Sequence, residues 1–189
     1  MKYAAILLFF ALSTLDAAAQ PMVEVDMTGQ PLQYSKGGNT DGCGIRIVGV
    51  LPTGTVPANM FKSFDVSVNF WRTGAALGKM IGKITPFDGT KAGKGKRVPL
   101  YSGWMKAEGK PSAAPLESTF KESPTDKGAY LFPVDLEGAL AFIHGSALGS
   151  RVQVGLAWDK KNEWIYFGSV KLSESERNQL TLCLREALN

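Results

Sequence analysis

One histidine, His144, and two cysteines, Cys43 and Cys183, are all the imidazole and thiol side chains in 189 residues. A histidine-rich metal centre is therefore excluded. No Cys-x-x-Cys spacing marks a reactive thiol pair. A Ser–His–Asp arrangement would have to use His144 with the nearby Ser146. In Gly145-Ser146-Ala147-Leu148-Gly149 the serine stands one place too early for a nucleophile elbow. The glycine–lysine pairs Gly78-Lys79, Gly82-Lys83, Gly93-Lys94 and Gly95-Lys96 do not complete a phosphate loop. Too few residues separate Gly89 from Gly93, and Arg97 stands where a hydroxyl is needed. No motif for a cofactor remains.

Other absences bear on class and compartment. No N-x-[ST] sequon occurs, no segment repeats, and nothing after the amino terminus is apolar for long enough to span a membrane. The excess of positive charge is only +4. That favours anionic surfaces but falls short of a dedicated nucleic-acid binder, so no nucleic-acid partner is expected.

What is present begins with an address. Lys2, the apolar run Ala4–Leu12 and the small residues Ala17-Ala18-Ala19 have the form of a signal peptide over residues 1–19. With no cysteine at the cleavage point, a lipid anchor is not expected. The protein is read as periplasmic or secreted, with no transmembrane segment once processed. In that compartment Cys43 and Cys183 most simply pair with each other. Closing so long a loop restricts the unfolded chain by about 5 kcal/mol at most.

The clearest structural signal lies near the carboxyl end. Val152, Val154, Leu156 and Trp158 recur at every second position, and Trp164, Tyr166, Val170 and Leu172 keep the same period. Two such arms around Asp159–Glu163 predict a β-hairpin, and folding about Lys161 sets Trp158 opposite Trp164. Ser173 and Glu176 then form a capping box, opening a helix whose stripe is Leu180, Cys183, Leu184 and Ala187. Ile165 and Phe167, on the hairpin's other face, are the expected cover for that stripe.

Upstream, residues 20–42 read as a polar, flexible arm, with an edge strand through Val23, Val25 and Met27 at most. Gly44–Leu51 and Phe61–Trp71 read as strands, the second with Phe64, Val66, Val68 and Phe70 on one face. Ala75–Ile84 is its expected partner, with glycines at bulges or close backbone contacts. Pro86–Arg97 reads as a basic loop, Val98–Met105 as a strand, and Lys106–Lys127 as irregular around a short strand at Leu116–Phe120. Tyr130–Val134 is a further strand, followed by a helix capped by Asp135 that ends near Gly145 or Gly149. Gly138 weakens that helix.

The sum is an α+β fold: a mostly antiparallel twisted sheet or β-sandwich, with a C-terminal helix and one short helix packed on it. Residues 43–189 are expected to form a single disulfide-stapled domain. Two surfaces stand out for binding. One is aromatic, with Trp71 beside Arg72 and Trp104 near Tyr101. The other is the basic loop with Lys91, Lys94, Lys96 and Arg97, suited to anions or simply solvated.

These features point to an exported, non-enzymatic binding or accessory protein of a bacterial envelope. Its partner would be another envelope or extracellular protein, or an anionic polymer. A small hydrolase using His144 or acids such as Asp65, Asp88, Asp135 and Glu137 is the alternative from another class. An inhibitor or immunity-type protein, plugging a cleft with Pro86–Arg97 or Lys106–Lys127, is a third.

Overall fold

Alternation in the sequence becomes register in the computed structural model, which describes residues 20–52, 60–73, 76–89, 95–115 and 120–188. The expected signal peptide, Lys91, Lys94 and most of the expected strand at 116–120 lie outside the described residues. The strands are β1 (Met22–Glu24), β2 (Asp26–Lys36), β3 (Asn39–Val50), β4 (Ser63–Thr73), β5 (Ala76–Phe87) and β6 (Ser102–Ala107). They continue with β7 (Ser112–Ala113), β8 (Lys121–Glu122), β9 (Tyr130–Pro133), β10 (Arg151–Ala157) and β11 (Glu163–Lys171). The described residues also form two helices, α1 (Leu136–Ala147) and α2 (Glu174–Leu188).

The strands join in the order β7-β6-β10-β11-β2-β3-β4-β5-β9-β8, with β1 also on β11. Among the described residues only the pairings of β11 with β1 and β2 are parallel. The protein is thus α+β, built on a mostly antiparallel sheet with a C-terminal helix, as the sequence predicts. The sheet curls until its two halves face each other across one core. Tyr166 of β11 meets Phe64 of β4 edge-on, with ring centroids 5.4 Å apart. A β-carbon on Gly103 of β6 would lie 2.7 Å from Cδ1 of Ile84 on β5. The inward set of β4 (Phe64, Val66, Val68, Phe70) is fully buried, each side chain worth about 1.5–3 kcal/mol relative to exposure.

Residues 20–42 are not a flexible arm. They supply β1, β2 and the start of β3, and β2 lies between β11 and β3 inside the sheet. The apolar signal is missing because other elements supply it. A β-carbon on Gly29 would fall 2.6 Å from Val170 and 2.7 Å from Leu172, whose side chains lie over β2. The β10–β11 hairpin forms, but Leu156 faces Trp164 and the turn comes earlier than the symmetric reading places it. Asp159 decides this by accepting bonds from the amides of Lys161 (2.7 Å) and Asn162 (2.9 Å), which leaves Trp158 in the turn. The strand expected from Val98 starts only at Ser102, so Tyr101 precedes β6.

Both helices begin where their caps predict. Asp135 Oδ1 accepts from the Gly138 amide at 2.7 Å to start α1, and Ser173 and Glu176 exchange capping-box bonds to start α2. Leu180, Cys183 and Ala187 of α2 are buried, yet the helix packs on β2 and β3, not on Ile165 and Phe167. Phe167 instead lies beneath the Arg151 guanidinium, 4.7 Å from the ring centroid. The anchor is covalent: Cys43 of β3 and Cys183 form a buried disulfide, with Cα atoms 5.9 Å apart. No helix among the described residues is long and apolar enough to cross a membrane.

Candidate functional site

The antiparallel ladder of β6 and β10 sets Trp104 opposite Gly155, and this pairing builds the aromatic site. With no side chain at Gly155, the indole lies flat across the strand; a β-carbon there would sit 2.2 Å from Cε2. The ring is held at its edge as well. Trp104 Nε1 donates to Glu163 Oε1 of β11 at 2.7 Å, and Lys106 Nζ stands 5.3 Å from the ring centroid. Two strands besides its own therefore fix the orientation of this half-buried tryptophan.

Beside it opens a groove of about 920 Å³, walled by Tyr101, Trp104, Pro115 and Phe120, with Gly103 and Lys160 also lining it. Tyr101 is 50% exposed. Phe120 stacks on Tyr130 at 5.1 Å, and the Tyr130 hydroxyl accepts from the Leu100 amide at 3.0 Å, tying that wall to the segment leading into β6. Lys160 belongs to the turn fixed by Asp159, whose carboxyl is held below the ordinary aspartate range chiefly by the Asn162 side chain. Among the described residues the groove is thus aromatic with Lys160 at its mouth, and Trp104 and Phe120 tie its walls to neighbouring strands.

Of the aromatic candidates, Tyr101 and Trp104 come together here, while Trp71 and Arg72 do not join them. Trp71 leans on Tyr34 across Gly42, with ring centroids 5.0 Å apart, and burial raises the Tyr34 phenol above its ordinary range. Arg72 Nη1 reaches the carbonyl of Glu186 near the end of α2 at 3.4 Å. Beside it lies an open depression of about 600 Å³ with Lys36, Thr40, Asp41 and Glu186 on its walls.

The basic loop divides in the same way. The Lys96 side chain is exposed, and its amide donates to Asp88 Oδ1 at 2.7 Å. Arg97 bonds to Asp126 and to the Lys127 carbonyl. Asp126, bonded first by Lys83 and then by Arg97, is held below the ordinary aspartate range. Arg97 is therefore part of an internal clasp rather than a free anion contact.

Several of the residues considered for hydrolysis are engaged elsewhere. Ser146 is fully buried and its hydroxyl donates to the Phe142 carbonyl at 2.7 Å, whereas His144 is exposed. Asp65 receives Arg46 through both oxygens, the closest contact being 2.6 Å, and Asp135 caps α1. Among the described residues, no group of three or more His, Cys, Asp or Glu side chains is placed to hold a metal.

Glu163, Pro115, Phe120 and Lys160 are site residues that sequence reasoning missed. Only cross-strand register brings Glu163 to Trp104, and only the path of the chain after β7 brings Pro115 to the groove. No family model matches the chain, and neither a curated protein nor a solved structure matches it significantly.

Proposed function

We propose that this is an exported, non-enzymatic binding or accessory protein that engages its partner through the Tyr101–Trp104 groove. The observation carrying this reading is the preorganised indole. Trp104 is locked by Gly155 and Glu163, and it borders an open groove of the size in which ligands and partner side chains are commonly held. A rigid aromatic at a groove loses little conformational freedom on binding, so most of its contact area becomes affinity. Export is supported by the form of residues 1–19 together with the buried Cys43–Cys183 disulfide, a pairing typical of oxidising compartments.

The experiment is affinity capture from a cell-envelope extract, using the disulfide-bonded protein beside its Tyr101→Ala and Trp104→Ala variants. The reading expects a partner recovered by the parent protein and depleted at least several-fold by each variant. Equal recovery by all three proteins would remove the groove from the account.

A further inference from the structure

Strand β7 is two residues long, and it pairs with β6 only at Met105 and Lys106. Beyond that point the chain diverges. Ala114 and Pro115 line the far wall of the groove, while Gly103 and Trp104 line the near one. Proline lacks an amide and cannot extend the ladder, so among the described residues no strand follows β6 past Met105 on this side.

The phase of the ladder says what this edge presents. The Glu108 amide donates to the Arg151 carbonyl at 2.8 Å, in register with the pairing of β6 and β10. Hydrogen-bonded pairs alternate along an antiparallel ladder, so Trp104 and Lys106 direct their backbone groups to β10, and at the end of the strand the Tyr101 amide donates to the Ala157 carbonyl at 2.7 Å. The amide and carbonyl of Gly103 are therefore turned toward the groove. Gly103 is itself buried and lines the groove, which places these groups at its floor.

We propose that the groove receives an extended acidic peptide segment of a partner protein, laid along β6 as an added strand. This rests on the binding role proposed above and names the class of occupant. Strand addition draws affinity from main-chain bonds and specificity from pockets for alternate side chains. Here Gly103 supplies the main-chain partner, and the space between Tyr101 and Trp104 takes an apolar side chain. Among the described residues lining the groove Lys160 is the charged one, and Lys106 stands over the indole, while both oxygens of the nearby Glu163 are taken up by Trp104 and Gln20, so a segment carrying a carboxylate complements this face.

The test is selection of short random peptides displayed on phage against the purified disulfide-bonded protein, with a panel of neutral and acidic oligosaccharides assayed in parallel. The expected result is enrichment of sequences in which apolar and acidic residues alternate. A synthetic peptide of the enriched sequence should bind roughly tenfold or more weakly to Trp104→Ala, the scale of losing one interface anchor. It should also weaken against Lys160→Glu, an exposed turn substitution that spares the fold, and when its amide facing Gly103 is N-methylated. Peptides that bind the Lys160→Glu protein and the parent equally, or that tolerate N-methylation at every position, would overturn the proposal. Binding of acidic oligosaccharides but of no peptide, lost in Tyr101→Ala, would overturn it while leaving the binding role intact. Failure of the parent protein to enrich any peptide or bind any sugar would count against both.

Discussion

Trp104 and Gly155 face each other across β6 and β10 so closely that a β-carbon on the glycine would penetrate the indole, at 2.2 Å from both Cε2 and Nε1. The glycine is thus the seat of the tryptophan, and Glu163 fixes its edge. Gly155→Val should expel the ring from this seat and weaken the protein by about 1–3 kcal/mol, the usual cost of overpacking. Urea denaturation checks the stability, and the tryptophan emission spectrum checks the displacement. Unchanged emission and stability would show that the seat is not needed.

Gly138 offers a case where two effects oppose. Helix propensity alone says that Gly138→Ala should stabilise α1 by about 1 kcal/mol. The new methyl would meet the Ser112 carbonyl oxygen of β7 at 2.5 Å, and backbone cannot swing away as a side chain does. The clash should win, giving net destabilisation in urea denaturation and loosening β7 against α1. A more stable variant would contradict this packing.

The Cys43–Cys183 disulfide closes a loop of 140 positions between β3 and α2. Replacing both cysteines by serine should cost about 2–5 kcal/mol, mostly through the freer unfolded chain. Intact mass after thiol trapping under denaturing, non-reducing conditions should show no added label on the parent protein. Two labels would contradict the pairing.

Asp159 is held below the ordinary aspartate range, first by the Asn162 side chain and then by the Lys161 amide. Its folded value is therefore lower than its unfolded one. The turn's contribution is fully present above the unfolded value and is lost as pH falls through the folded value. Carbon-detected NMR titration should find Asp159 among the last carboxylates to protonate, and its amide bonds to Lys161 and Asn162 should weaken over the same acid range. Because Lys160 rides on this turn, Asp159→Ala should loosen the mouth of the groove without disturbing Trp104.

Much of the fold was legible where a residue's own neighbours in sequence decide its place. The alternation of Phe64–Phe70, the Asp135 cap, the Ser173–Glu176 box and the stripe ending at Ala187 all depend on local spacing, and each forms. The illegible parts depend on what other strands contribute. Strand β2 looked mobile because Gly29 leaves its space to Val170 and Leu172. Helix α2 packs over β2 and β3 instead of β11, and Phe167 packs under Arg151.

The site shows the same division. Tyr101 and Trp104 could be named because aromatics near glycine and serine stand out in a sequence. Their joining with Phe120 and Lys160 depends on the path of the chain before β8 and on the Asp159 turn, and the separation of Trp71 from them follows from sheet order. Arg97 looked like a free cation for want of any sign that Asp126 would take it.

If partners meet this protein at Trp104, as proposed, the indole N–H resonances report on it directly. Trp104 donates to Glu163, while Trp71 lies against Tyr34 elsewhere on the sheet, so each serves as the other's control. On titration with a captured partner or an enriched peptide, the Trp104 indole signal should shift or broaden and that of Trp71 should stay in place. A perturbed Trp71 beside an unmoved Trp104 would contradict the account.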